Sequence, residues 1–356
     1  MNAPLRELLK QTSRTFHKTL RILPSAVRPQ ISLAYLLART TDTIADTELV
    51  PVEQRLQALQ KLRERIQGTG NAPLNFGELA RQQASPAERL LLENVESTLT
   101  ELRRLSDPDL RLVRTVLDTI TSGQELDLRR FATVESALQR AGKKPSAEPQ
   151  PVIALQTDAE LDDYTYRVAG CVGEFWTDMC IQHLFRLPEL EDLMWSSEFK
   201  NLGVRFGKGL QLVNILRDLP ADLRKGRCYL PAEKLEKAGL KPADLLSPTN
   251  EARLRPLYHS YLDIARSHLA AGWQYTNLIP FTWMSVRLAC AWPILIGVKT
   301  IARLRAASVL DASQRIKISR SEVRGIAVRS IVLYPFPRAW KRQFQRPAPG
   351  EGKDVA

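Results

Sequence analysis

Asp42-Thr-Ile-Ala-Asp46 and Asp218-Leu-Pro-Ala-Asp222 set two carboxylates four residues apart, twice in one chain, in segments that both read as helix. Positions four apart on a helix differ by about 40° around the axis and about 6 Å along it, so each pair shares a face. Without a counter-charge, each pair costs roughly a few tenths of a kcal/mol. Both pairs emerge from mainly apolar stretches, SLAYLLARTT and GLQLVNILR, which should be substantially buried. Magnesium meets the need for positive charge: it takes oxygen ligands, keeps several waters, and is held by one or two carboxylates plus substrate phosphates. A di-iron centre would need Glu-x-x-His motifs, and neither segment has one.

Cations accompany the acids. Arg39 lies three residues before Asp42, Arg217 adjoins Asp218, and Arg224, Lys225 and Arg227 follow Asp222. Guanidinium groups suit bidentate phosphate binding. Carboxylates for metal and cations for phosphate oxygens together imply a diphosphate. Pro220 stands between the second pair of acids and cannot donate a helical hydrogen bond, so a kink or a helix end is expected there. Asp222 is then the least secure ligand, and Gly226 suggests a flap over the phosphates.

The elements that must position these groups are helices. Periodicity of about 3.6 recurs in RPQISLAYLLARTTDTIADT, VEQRLQALQKLRERI, PDLRLVRTVLDTITSGQELDL and RPLYHSYLDIARSHLAAGW, and strand signals are nearly absent, which predicts an all-α protein. Pro86, Pro108 and Pro256 stand near helix starts, with Ser85 and Asp107 as caps for the first two. AGKKPSAEPQP (141–151) reads as an exposed linker or lid within one domain spanning 1–340, followed by a flexible tail, 341–356. The stretch 278–301 is apolar but broken by Arg287, so a buried helix is expected rather than a membrane span.

A content of 44% hydrophobic and 25% charged residues excludes disorder as the default, and a net charge of +12 favours anionic partners. Nucleic acid is not the expected one, because here the cations interleave with paired acids instead of forming a continuous face with stacking aromatics. Four cysteines without a C-x-x-C pair, and an N-terminus without the apolar core of a signal peptide, predict a reducing cytoplasm and no zinc site.

Six ordered segments resemble the squalene and phytoene synthase family of head-to-head prenyl transferases: QTSRTF (11–16), YLLARTTDTIAD (35–46), GQELDL (123–128), YTYRVAGCVGE (164–174), GLQLVNILRDLPAD (209–222) and GRCYLP (226–231). The resemblance implies a single large helical bundle of the isoprenoid synthase type with a central active-site cavity. It places Asp42 and Asp46 on the first aspartate-rich motif and Asn214, Asp218 and Asp222 on the second, as magnesium ligands. It implies that Ser13, Arg14, Phe16, Tyr35, Arg39, Gln211, Arg217 and Arg227 line the diphosphate end, joined by Lys225, and that Asp127 lies near the site. Tyr164 falls on the tyrosine expected to steer carbocation chemistry, and the small residues of VAGCVG are expected to make room for a prenyl chain.

The expected reaction joins two farnesyl diphosphates through presqualene diphosphate to squalene, with NADPH as reductant. VRLACAWPILIGVKTIARL (286–304) and VAGCVG resemble the squalene branch, whereas NILRDLPADLRKGRCYLP looks more like the bacterial phytoene and dehydrosqualene branch. Phytoene, dehydrosqualene, presqualene diphosphate or hydroxysqualene therefore stand as alternative products. The basic segment VRSIVLYPFPRAWKRQFQRP (328–347), with Trp340 and Phe344, is expected to touch membrane lipid peripherally, on the inner face.

Overall fold

A computed structural model describes residues 3–13, 16–141, 151–185, 196–311, 313–314 and 316–345, with backbone alone for 3, 16–18 and 135–141. The chain forms two compact units, residues 1–140 with 174–200 and residues 141–173 with 201–356. As the hydrophobic periodicity predicts, the architecture is all-α. Among the described residues the strands are Ile153–Ala154 and Arg227–Cys228, paired parallel with Ile153 opposite Arg227.

In the first unit the apolar stripe of the Arg28–Ala45 helix, including Leu33, Leu36, Leu37 and Ile44, is fully buried. This helix starts with Pro29 in its first turn, where a missing N–H costs nothing. The Val52–Gln67 helix follows Pro51 and stops at Gly68, whose φ of 81° lies in the left-handed region that glycine enters without penalty. The Pro86–Glu93 helix begins at its proline as expected, although the Ser85 side chain makes no capping hydrogen bond. The long Asp107–Ala141 helix adds Val113, Leu117, Leu128 and Phe131 to the core.

In the second unit the Ser197–Arg224, Glu251–Leu278 and Met284–Ala306 helices supply most of the core, with Leu216, Leu262, Leu269, Tyr275, Ile294 and Ile301 all buried. Pro256 lies inside the Glu251–Leu278 helix, in its second turn, rather than at its start. The Met284–Ala306 helix is long and apolar enough to cross a membrane, with mean hydropathy 1.4, yet 67% of that window is buried inside the protein. It is a core helix, as the interrupting Arg287 suggests.

Arg287 is itself buried, at 7% exposure, and its guanidinium lies 5.4 to 5.8 Å from the ring centroids of Phe281, Tyr334 and Trp340. Burial lowers its pKa, and the aromatic faces and Asn277, which accepts from Nη2 at 3.1 Å, compensate its charge. This box corrects the expectation for Trp340. The residue is 2% exposed, stacks on Trp273 at 5.3 Å and donates from Nε1 to Asn277 at 3.0 Å, because a large amphipathic ring gains more in the core with its N–H satisfied. Phe344 also stacks on Trp273, at 6.1 Å, while 346–356 lie outside the described residues.

Candidate active site

The first aspartate pair closes the Arg28–Ala45 helix: Asp42 sits in its last turn and Asp46 is the C-cap, with its N–H bonded to the Asp42 carbonyl at 2.8 Å. A helix C-terminus is a poor place for acids, because the backbone carbonyls there already carry partial negative charge. Arg55 answers this. It is fully buried in the following helix and donates from Nη1 to the Ala45 carbonyl at 2.6 Å, holding the end of the Asp-bearing helix in place.

Asp42 accepts from Arg39 Nη1 at 3.2 Å and from Gln124 Nε2 at 2.9 Å. Arg39 also pairs with Glu88. Protein crowds Asp42 on the helix side while about half of its side-chain surface, 50%, stays open to water. Loss of hydration on the crowded side, followed by repulsion from Asp46, raises its pKa to about 6 in spite of Arg39 and Gln124. Asp42 is thus short of positive charge.

Gln124 and Glu88 are the members that sequence reasoning missed. GQELDL marks Gln124 as part of a family segment, but nothing in its own type or spacing ties it to Asp42, 82 positions away. Its Oε1 is buried and has no hydrogen-bond partner. Asp127, one turn later, is 8% exposed. Ser13 is buried and donates to the Leu9 carbonyl at 2.5 Å, and Tyr35 donates from its hydroxyl to the Thr12 carbonyl at 3.2 Å, tying the N-terminal helix to the Asp-bearing one. Arg14 and the side chain of Phe16 lie outside the described residues.

The second set lies on the Ser197–Arg224 helix. Gln211, Asn214, Asp218 and Asp222 follow at spacings of three, four and four, which confines them to about 80° of the helix circumference. Asn214 donates to Gln211 at 3.5 Å, and Arg217 grips Asp218 through two bonds, Nε–Oδ1 at 3.0 Å and Nη2–Oδ2 at 2.5 Å. Gly226, at φ 73°, ends the last turn, and Lys225 donates from its backbone to the Asp222 carbonyl at 2.9 Å. Instead of a loose flap, Arg227 enters the two-residue parallel ladder, where Ile153 and Leu155 donate to the carbonyls of Gly226 and Cys228.

The helix does not end at Pro220 but runs through it to Arg224. Proline at 220 orphans the carbonyl four residues back, that of Leu216. Tyr258, buried in the Glu251–Leu278 helix, donates its hydroxyl to that same carbonyl at 2.9 Å. Burial pushes the Tyr258 pKa far above the ordinary phenol value, so the donor proton stays in place. The substitute bond lets Asp222 keep helical register with Asp218. Tyr258→Phe is expected to lower stability by about 1–2 kcal/mol in urea unfolding. In a Pro220→Ala background, where residue 220 regains its N–H, at least half of that loss should vanish; equal losses in both backgrounds would reject the assignment.

Tyr164 lies in the last turn of the Asp158–Thr165 helix, is 9% exposed and stacks on Tyr229 at 4.8 Å. A π-helical turn, Tyr166–Gly170, follows before the Cys171–His183 helix. Such turns insert a residue and re-aim what precedes them, and they concentrate at functional sites. Gly173 of VAGCVG and Gly207 stand where two stretches of helix backbone approach closely. A Cβ on Gly173 would lie 1.9 Å from the Gly203 carbonyl oxygen, and one on Gly207 2.1 Å from that of Ala169. These glycines admit the backbone of a neighbouring helix.

Among the described residues no three His, Cys, Asp or Glu side chains gather into a self-sufficient metal site. Two carboxylates on one face, an under-compensated Asp42 and an orphaned amide oxygen on Gln124 instead fit magnesium that draws its remaining ligands from water and phosphate. A groove of about 420 Å³ beside Arg63, Gln67, Glu125 and Arg129 contains none of the predicted site residues.

An all-helical chain bearing D-x-x-x-D pairs on two helices, each with an arginine on its carboxylates, has the plan of an isoprenoid synthase. The squalene/phytoene synthase family model matches residues 9–322, and the chain belongs to that family. Its members are prenyl transferases acting on prenyl diphosphates. The chain is 28% identical to presqualene diphosphate synthase of Rhodopseudomonas palustris, covering 75% of each chain. It is 25% identical to squalene synthase of Schizosaccharomyces pombe, covering 92% of this chain and 64% of that one. It spans only 40% of the length of the bifunctional lycopene cyclase/phytoene synthase of Gibberella fujikuroi. The ligand complex of TcSQS has the same fold, with TM-score 0.74 and 21% identity over 100% of this chain and 94% of that one.

Proposed function

We propose that the chain condenses two farnesyl diphosphates head to head, through presqualene diphosphate, to squalene. The observation that carries this reading is the repeated unit of two carboxylates on one helix face with a guanidinium bonded to the leading acid, Arg39 on Asp42 and Arg217 on Asp218. Two such units suit two diphosphates.

Asp42 and Asp46, with Gln124 behind them, would hold magnesium for one diphosphate, and Asn214, Asp218 and Asp222 for the other. The bound ions would supply Lewis-acid stabilisation of the negative charge that develops on the leaving group. Arg39, Arg217, Lys225 and Arg227 meet the phosphate oxygens. As the allylic C–O bond of one substrate breaks, its electron pair leaves with diphosphate. The double bond of the second substrate then attacks the cationic carbon, and loss of a proton closes the cyclopropane. Tyr164, packed against Tyr229, offers a π face toward which positive charge is attracted.

The squalene ending consumes a hydride from NADPH. Among the described residues the strands are only two residues long, so the strand, glycine-rich turn and helix that cradle a dinucleotide are lacking, and no residue is assigned to the nicotinamide. The likeness of 286–304 to the squalene branch supports this ending. Incubation with farnesyl diphosphate and magnesium, with and without NADPH, is expected to yield squalene only when NADPH is present. Presqualene diphosphate in both arms would place the chain's reaction with that of the Rhodopseudomonas relative.

A further inference from the structure

Among the described residues Leu49, Leu90, Val172 and Ile264 are exposed singly, whereas the other large exposed apolar side chains fall together near the C-terminal end. Val328, Ile331, Val332 and Phe336 are 61%, 45%, 60% and 60% exposed, and Phe281, 54% exposed, joins them by stacking on Tyr334 at 4.6 Å. Val328, Ile331 and Val332, at spacings of three and four, share one face of the Arg320–Leu333 helix, and Phe336 stands just beyond its end. Most isolated exposed hydrophobic residues need no explanation, but a contiguous ridge does.

The surrounding charge has one sign. From 323 to 345 the sequence contains no Asp or Glu, while Arg324, Arg329, Arg338, Lys341 and Arg342 are all exposed. None of these five is ion-paired among the described residues. The base of the ridge is rigid. Tyr334 donates to the Phe281 carbonyl at 2.5 Å, Trp340 is buried in the Arg287 box, and Ser330 donates to the Ile326 carbonyl and to Gln343.

We infer that this ridge docks on an anionic bilayer surface, with Val328, Ile331, Val332, Phe336 and Phe281 entering the interface and the five cations meeting lipid phosphates. An apolar face flanked by lysine and arginine is the arrangement that lies in a headgroup layer. A second copy of the chain does not fit, because a two-fold contact would set five cations against the same five with no acid between them. The segment 346–356, RPAPGEGKDVA, has a single valine as its large apolar residue. Trp340 and Phe344 face the core, so the interfacial residues differ from those that composition alone selects. The inference deepens the proposed reaction, whose hydrocarbon product has no place in water, and it rests on that reading for its purpose only.

The test is cosedimentation with vesicles of phosphatidylcholine alone and of phosphatidylcholine with phosphatidylglycerol, without substrate. Wild type is expected to pellet with the anionic vesicles and to be released by high salt. Val332→Asp with Phe336→Asp should weaken partitioning by about tenfold or more, and Arg329→Glu with Lys341→Glu should abolish the preference for anionic lipid. Circular dichroism and prenyl diphosphate turnover in detergent should match wild type for both pairs, since all four side chains are exposed. Wild type remaining in the supernatant, variants pelleting as well as wild type, or Val332→Asp converting a dimer to a monomer would each overturn the inference. Because binding is read without turnover, an inactive but vesicle-bound protein would count against the proposed reaction alone.

Discussion

Replacing Asp218 or Asp42 by alanine is expected to reduce prenyl diphosphate turnover by roughly a thousandfold or more while leaving the far-ultraviolet circular dichroism unchanged. The two effects separate because of where these carboxylates sit. Asp218 keeps 47% of its side-chain surface open, and its ion pair with the adjacent Arg217 is partly solvated, so removing it should cost no more than about 1 kcal/mol of stability. Asp42 has a pKa raised to about 6 by its surroundings, so an uncompensated charge at this position opposes folding and its removal is not expected to destabilise the protein. The sign follows from linkage: a carboxyl whose folded pKa lies above the ordinary value disfavours the native state at pH above that folded value. Acids that serve only structure would behave in the opposite way, losing stability and keeping chemistry. Near-normal turnover in both variants would remove the metal-binding role assigned to the pairs.

The second large effect falls on stability. Gly173→Ala should destabilise the fold by about 3 kcal/mol or more, and Gly207→Ala by a similar amount, as read from the midpoint of urea unfolding. In each case the new methyl would lie within about 2 Å of a carbonyl oxygen on the facing helix, that of Gly203 for Gly173 and that of Ala169 for Gly207. These atoms belong to backbone and cannot rotate away, so the helices must separate. The seam lies next to the π-helical turn that follows Tyr164 and on the helix that carries Asp218, so a shift there would also disturb the site. Gly325 is the internal control, since a methyl there meets nothing within 4 Å. Equal stability of Gly173→Ala and Gly325→Ala would show that the close approach is not required.

The acids, their arginines and the helices that bear them were legible in the sequence because each signal is local. A four-residue spacing, a neighbouring arginine and a 3.6-residue apolar period can all be read within one turn or two. What escaped depends on partners distant in the chain. Gln124 reaches Asp42, Arg55 holds the Ala45 carbonyl, and Tyr258 replaces the hydrogen bond that Pro220 cannot make. The last of these lets the helix continue past Pro220 instead of ending there, since a freed carbonyl that finds another donor does not force the helix to stop. Trp340 turns inward for a related reason. Residue type shows that a ring is amphipathic or that a position is small, but not whether solvent, substrate or another helix fills the space beside it.

The most direct measurement counts diphosphate against hydrocarbon. Purified protein is supplied with farnesyl diphosphate, magnesium and NADPH, and released diphosphate and extracted C30 product are quantified together, with a parallel sample in EDTA. Two diphosphates are expected for each squalene, and neither product in EDTA. Undiminished diphosphate release in EDTA, or release from magnesium-loaded protein without any condensed C30 species, would contradict the proposed reaction.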